Sequence, residues 1–235
     1  MKELENIVSK LKMDFKILSI TFLLFVFLLV LNGTPKFKVR EGKGNITNRI
    51  IGGKPTRTHP WQVSILSMSM MGAQACGGTL ISNQHVLTAA HCIFDPYKRQ
   101  VAPQQIRVRV GSSLFYSGGI QMGVIKHFLH GYMDQLPYFM ANDIAILKLS
   151  RPVTLGPSVK PICLATSKYP AGTPAIATGF GATRTGGGAS NQLMEVSLKI
   201  SNYGLMPGFI YTVSAYRGTC QGDSGGPLMI NKNGR

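Results

Sequence analysis

The part of the chain that follows Ile50 consists of short apolar or alternating runs, separated by glycine, proline, asparagine and serine. These runs are WQVSIL, GTLIS, HVLTAA, IRVRVG, GVIKHFL, DIAILKL, AIATGFG, LMEVSLKI and GPLMI. Short strands at this spacing are typical of an all-β sandwich or barrel, and no amphipathic pattern of three helical turns stands out among them. The 27 glycines and 13 prolines fit many turns between short strands. We therefore predict an all-β fold.

The first 49 residues have a different character. Ile17–Leu31 is almost wholly apolar and follows three lysines, a pattern and length that suit a signal-peptide core better than a usual membrane span. We expect residues 1–33 to be a signal peptide, with a signal anchor as the alternative, and residues 34–49 to be a polar propeptide. Either arrangement takes the rest of the chain across a membrane, so we expect a secreted, extracellular protein. Asn45 begins an Asn-Ile-Thr glycosylation sequon.

The chain is strongly basic, with 25 Lys and Arg against 9 Asp and Glu and a formal net charge of +16. Such a charge permits binding to nucleic acid, anionic membranes or acidic polymers. The basic residues are dispersed, however, and neither a basic run with interleaved aromatics nor a nucleic-acid motif is present. We expect a solvated basic surface and no nucleic-acid partner. A cationic surface for heparin-like polymers or membranes is one alternative.

Ser224 stands in the glycine-rich sequence TCQGDSGGPL. A serine hydroxyl is a poor nucleophile at neutral pH, so it needs a neighbouring base and donors for an oxyanion. Glycines on both sides allow a sharp turn that brings main-chain N–H groups close to a reacting carbonyl. Taken alone, the run is equally compatible with an ordinary turn.

Two further residues are candidates for the missing chemistry, although each taken alone fits an ordinary core, surface or strand-end residue. Asp143 is the second residue of the run NDIAILKL, and a carboxylate at the head of a buried strand is costly unless it is paired. His91, in LTAAHC, is a suitable partner, and the pairing would set the imidazole tautomer. A bridge between Cys76 and Cys92 would close a loop of about 15 residues, stabilise the fold by roughly 3 kcal/mol and fix the backbone beside the histidine.

The order His91, Asp143, Ser224 and the motifs LTAAHC, NDIAILKL and CQGDSGGPL resemble the trypsin and chymotrypsin family, from Ile50 to about Asn231. The resemblance implies two antiparallel Greek-key β-barrels, here with the second incomplete, and an active site in the cleft between them. It implies a serine endopeptidase that hydrolyses peptide bonds through an acyl-enzyme.

The same resemblance assigns a role to each residue of the site. Ser224 attacks the scissile carbonyl, His91 accepts its proton and passes it to the leaving amine, and Asp143 orients His91. The main-chain N–H groups of Gly222 and Ser224 form the oxyanion hole.

The sequence Arg49-Ile50-Ile51-Gly52-Gly53 resembles the family's activation site. Cleavage after Arg49 would make Ile50 a new N-terminus whose ammonium pairs with Asp223, so the uncut chain is expected to be an inactive zymogen. Residues 50–235 would then be the protease domain, and a trypsin-like protease would be the activator.

The family sets its substrate preference with the residue six positions before the catalytic serine, which here is Gly218. Trypsin-like members hold an aspartate there, whereas Gly218 carries no charge. The resemblance therefore favours a chymotrypsin-like or elastase-like preference for apolar side chains, and it makes self-activation after Arg49 unexpected.

The sequence departs from the family at its C-terminal end. It stops at Arg235, where family members continue with further strands, a pocket wall and a helix, so we expect a fragment or shortened product. Cys220 and Cys163 lack their family partners, and the positions of a further bridge are Leu205 and Ser214. Only the Cys76–Cys92 bridge is expected.

We expect no cofactor and no metal: residues 104–126 contain no acidic side chain for calcium, and no His and Cys spacing suits zinc. The expected partners are protein or peptide substrates and protein protease inhibitors, and the chain is expected to be monomeric. The alternative function is an inactive protease homologue that acts as a binding or regulatory module, because the pocket wall is missing.

Overall fold

Our computed structural model describes residues 53–57, 59–131, 142–182, 189–201, 209–214 and 217–230. Within these ranges the regular structure consists of strands and two short 3₁₀ turns, Ala90–Ile93 and Pro103–Gln105. The strands are β1 (Lys54–Pro55), β2 (Gln62–Ser69), β3 (Gly72–Leu80), β4 (His85–Thr88), β5 (Ile106–Val110), β6 (Ile120–Leu129), β7 (Ala145–Leu149), β8 (Pro174–Gly179), β9 (Met194–Ser201), β10 (Tyr211–Val213) and β11 (Leu228–Met229). The all-β prediction is confirmed.

Six antiparallel strands close into a barrel in the order β2-β3-β4-β7-β6-β5. Alternation along the strands explains the closure: in β5, Ile106, Val108 and Val110 are fully buried while the two arginines between them face outward. The strand β7 follows the same pattern, with Leu147 and Leu149 fully buried. The barrel interior is therefore one continuous apolar core, and the loops at its ends are free to carry polar residues.

The second β-structure is an open sheet in the described part of the chain. Its order is β1-β9-β8-β11, and β10 also pairs with β9. Its core is smaller and includes Ala177, Met194, Val196 and Leu198. One closed barrel accompanied by a second, open β-structure agrees with the predicted pair of barrels of which the second is incomplete.

Two side-chain hydrogen bonds join the second sheet to the barrel. The Thr178 hydroxyl donates a hydrogen bond to the Gln62 side-chain oxygen at 2.6 Å, and both residues are buried. The Trp61 ring N–H donates to the sulfur of Met229 at 2.8 Å. These contacts fix β8 and β11 against the beginning of β2 and the residue before it, and the turn that carries Ser224 immediately precedes β11.

Several sequence predictions lie outside the described residues. They concern the signal peptide, the propeptide, the Asn45 sequon and the Arg49–Ile50 bond. Within the described ranges, none of the helical segments has the length and apolar character needed to cross a bilayer.

Candidate active site

His91 and Asp143 meet because the strands that carry them are neighbours. In the β4–β7 pair, Thr88 lies opposite Ala145. His91 follows Thr88 in the 3₁₀ turn after β4, and Asp143 comes just before Ala145 at the start of β7. The end of one strand and the beginning of its antiparallel partner lie at the same rim of the barrel, so both side chains reach the same point.

Both carboxylate oxygens of Asp143 accept hydrogen bonds from His91. Oδ2 lies 2.7 Å from the ring nitrogen Nδ1, and Oδ1 accepts the main-chain N–H of His91 at 2.8 Å. Burial by itself would raise the pKa of Asp143, but the hydrogen bonds and charge of His91 outweigh it, so the pKa lies below its ordinary value of 3.8. An ionised Asp143 therefore holds Nδ1 as the protonated nitrogen and leaves Nε2 as the potential base.

Ser224 lies in a turn that is attached to the barrel wall. Its carbonyl oxygen accepts the main-chain N–H of Gly77 in β3 at 2.8 Å and lies 3.7 Å from the sulfur of Cys92. Since Cys92 adjoins His91 in the chain, the serine turn and the His91–Asp143 pair occupy the same end of the barrel. Within the described ranges the Ser224 hydroxyl makes no hydrogen bond. Catalytic hydrogen bonds are often long before substrate binds.

The turn around Ser224 has an unusual backbone. Gly222 and Gly225 have φ values of 94° and 77°, in the left-handed region that favours glycine. A β-carbon on Gly225 would also overlap the Thr88 hydroxyl oxygen. Among the described residues, the amides of Gly222 and Ser224 donate to no acceptor, which leaves both N–H groups available to a ligand.

The structure contains the predicted disulfide between Cys76 and Cys92, with the two Cα atoms 6.2 Å apart. A ring nitrogen of His91 lies within 4.8 Å of both sulfurs. Because the sulfurs are bonded to each other, they are not thiolate ligands, and the group is a covalent support for the histidine turn. Cys163 and Cys220 are free thiols.

Asp223 is buried, with 6% of the residue exposed. Its carboxylate accepts the main-chain N–H groups of Gly181 and Cys220, each at 2.8 Å. Burial outweighs these two hydrogen bonds and raises the pKa of Asp223 above its ordinary value of 3.8. In the described part of the chain no cationic side chain pairs with it.

The remaining predicted site residue, Gly218, lies six residues before Ser224 in the same described segment. Among the described residues, no heavy atom lies within 4 Å of where a β-carbon on Gly218 would stand, so the position borders open space there. Ser214, one position of the expected missing bridge, lies just after β10, while Leu205 lies outside the described residues.

Sequence reasoning missed two glycines that make room for Asp223. A β-carbon on Gly179 or on Gly181 would overlap the Asp223 carboxylate. The Gly-Phe-Gly sequence at the end of β8 was the available signal, but its meaning depends on a side chain that lies far away in the sequence.

A closed barrel, a second sheet packed on it, and a His–Asp pair beside a glycine-rich serine turn define the chymotrypsin-like class of β-proteins. The comparisons with known proteins make this more specific. The model of the trypsin family matches residues 50–234. The chain is 36% identical over 199 residues to trypsin alpha-4 of Lucilia cuprina, in an alignment that covers 78% of this chain and 74% of the relative.

A second relative and a solved structure support the same family. Trypsin alpha of Drosophila melanogaster is 34% identical over 230 residues, covering 90% of this chain and 84% of the relative. A solved structure described as human heparin binding protein superposes with a TM-score of 0.65 at 27% identity, covering 77% of this chain and 80% of that one. The chain belongs to the trypsin family of serine proteases.

Proposed function

We propose that this chain is a secreted serine endopeptidase that hydrolyses peptide bonds with His91, Asp143 and Ser224 as its catalytic triad. The observation that carries the proposal is the double hydrogen bond between Asp143 and His91 at the barrel rim that also holds the Ser224 turn. This arrangement fixes both the orientation and the tautomer of the histidine before substrate arrives.

In the proposed mechanism, Nε2 of His91 removes the proton of the Ser224 hydroxyl as the oxygen attacks the scissile carbonyl. The negative charge that develops on the carbonyl oxygen is stabilised by the free N–H groups of Gly222 and Ser224. His91 then returns the proton to the leaving amine, and water repeats the sequence to release the acyl group. Asp143 stays ionised throughout because its pKa is low.

We further propose that the chain is made as a zymogen that is cleaved after Arg49. A buried carboxylate without a cationic partner in the described part of the chain supports this, because the new ammonium of Ile50 would compensate the charge of Asp223. The loop that includes Gly222 and Ser224 would be ordered by that ion pair.

The uncharged Gly218 supports a preference for apolar side chains at the bond to be cleaved. An activating protease of trypsin-like specificity is then required, since the chain itself would cleave poorly after Arg49. Protein substrates and protein inhibitors are the proposed partners.

Labelling with a serine-directed fluorophosphonate tests the proposed enzyme. The protein cleaved after Arg49 should be labelled at Ser224, and the Ser224→Ala and uncleaved proteins should not be. Absence of labelling in the cleaved protein would favour the alternative, a protease homologue that acts as a binding or regulatory module.

A second candidate function, compatible with the first, is binding to heparin-like polyanions. The acidic residues of the described ranges are Asp95, Asp143, Glu195 and Asp223. Each is at least four-fifths buried; the first three form ion pairs, and Asp223 accepts main-chain hydrogen bonds. Lysine and arginine are more numerous and mostly exposed, so the surface field is positive. The similarity to a solved structure described as human heparin binding protein agrees with this candidate.

A further inference from the structure

We infer that Lys126, Lys148 and His85 form a binding site for a sulfated polysaccharide on the outer wall of the first barrel. The inference rests on the second candidate function, polyanion binding, and is independent of the protease activity. We call these three residues the cationic row, after its two lysines.

The cationic row crosses three neighbouring strands. Lys126 in β6 is the direct partner of Lys148 in β7, and Lys148 is the direct partner of His85 in β4. Directly opposite residues of antiparallel strands project from the same face. That face is the outer one, because Leu147 and Val86, the chain neighbours of Lys148 and His85, are fully buried in the barrel core.

The row places the side chains of Lys126 and Lys148 directly opposite each other, with the imidazole of His85 on the next strand. Adjacent strands are about 4.8 Å apart, so the three residues span roughly 10 Å. Like charges directly opposite each other destabilise a sheet. In the described part of the chain no carboxylate faces the two lysines, since every acid there forms its ion pairs or hydrogen bonds elsewhere. A bound polyanion would remove this repulsion.

Two members of the row are held in place by contacts. The Lys126 ammonium lies 4.8 Å from the centre of the Phe128 ring. The Nδ1 atom of His85 lies 2.9 Å from the Ser82 hydroxyl, while Nε2 has no partner among the described residues. A site whose side chains are already positioned loses less side-chain entropy when it binds an anion.

The observations favour a sulfated polysaccharide over other polyanions. Single-stranded nucleic acid is bound largely by stacking bases on aromatic faces, but one face of Phe128 is covered by Lys126. A linear sulfated chain needs only closely spaced cations on a firm surface, which the row provides. The proposed secretion also places the protein where sulfated polysaccharides are the common polyanions.

Heparin chromatography and titration calorimetry test the site, with all proteins carrying Ser224→Ala to prevent self-digestion. The test variant is Lys126→Gln/Lys148→Gln, and the control is Lys168→Gln/Lys199→Gln, which removes the same charge from exposed positions before β8 and within β9. We expect the test variant to elute at lower salt and to bind about tenfold more weakly, and the control to change less than twofold.

A second measurement needs no lysine substitution. Lysines are acetylated with and without heparin, and mass spectrometry reports the extent of acetylation at each one. Heparin should protect Lys126 and Lys148 more than Lys168 and Lys199. Equal protection of all four, or equal weakening in both variants, would overturn the site and leave diffuse polyanion binding. If the parent protein is not retained on heparin at physiological salt, both the proposed site and diffuse polyanion binding are overturned.

Further probes identify the ligand class. Desulfated heparin should bind far more weakly than heparin. Tighter binding to single-stranded DNA or to phosphatidylserine vesicles, lost in the same test variant, would overturn the assignment to sulfated polysaccharide. Fluorophosphonate labelling reports separately on the protease proposal, so the two can fail independently.

Discussion

The main-chain N–H of Gly77 donates to the carbonyl oxygen of Ser224 at 2.8 Å. Gly77 lies in the central part of the barrel wall, and its own carbonyl accepts the Thr88 hydroxyl at 2.9 Å. The turn with the candidate nucleophile is therefore attached through two consecutive hydrogen bonds to the end of β4, which leads into His91. This connection links the serine turn to the strand that leads into His91.

Replacing Asp143 with asparagine should lower kcat by about 10⁴ at neutral pH, because an amide no longer holds the His91 ring in the required tautomer. The fold should survive, since asparagine has nearly the same shape. The measurement is the hydrolysis of a peptide amide by the cleaved protein. As a matched control, Asp95→Asn removes a carboxylate that pairs with Arg99, and kcat should stay within a few-fold. Equal loss in both variants would contradict the proposed role.

The substitution Gly179→Ala should destabilise the protein by about 1–3 kcal/mol, because the added methyl group overlaps the buried Asp223 carboxylate. Urea unfolding measures the change. Gly123→Ala in β6 is the control, since no heavy atom of the described residues lies within 4 Å of the added carbon, and it should be neutral or slightly stabilising. Similar changes in the free energy of unfolding for the two variants would show that the overlap with Asp223 does not destabilise the fold.

The uncleaved protein should lose stability as the pH rises through the raised pKa of Asp223. A carboxyl group whose pKa is raised by folding stabilises the fold fully below its unfolded pKa, near 3.8, and loses that contribution above its folded pKa. Cleavage after Arg49 supplies an ammonium that favours the ionised form, so this loss should shrink in the cleaved protein. Urea unfolding of both forms, across the pH range above 3.8, checks the difference.

A chemical control isolates the charge of the new N-terminus. Acetylating the α-amino group of the cleaved protein should restore the pH dependence of the uncleaved one. If the cleaved and acetylated proteins behave alike, the proposed ion pair does not form.

The substitution Gly218→Asp should shift kcat/KM toward lysine and arginine substrates, because it places a carboxylate where the structure has open space. The variant should also begin to cleave itself after Arg49. Peptide substrates that differ only in the residue before the cleaved bond provide the measurement. Gly218→Asn, which has similar size without charge, should not produce the shift, and the same shift with asparagine would exclude a charge effect.

Much of the fold was predictable because burial alternates with a period of two. The runs HVLTAA, IRVRVG and DIAILKL became β4, β5 and β7 as expected. The two-residue strand β1 and the short strand β10 were not predicted. Neither has enough alternating residues to be recognised, and both form by pairing with β9.

The sequence by itself determined the class of fold, the family and the residue types of the candidate site, because these depend on local periodicity and short motifs. Only the tertiary structure decided how distant segments meet. The pairing of β4 with β7 brings Asp143 to His91, and the end of β8 leaves a space for Asp223 that glycine alone can provide. The strand register that aligns Lys126, Lys148 and His85 is likewise a long-range property. The physical reason is that such contacts depend on which strands pair and in what register, and no local segment of the chain encodes either.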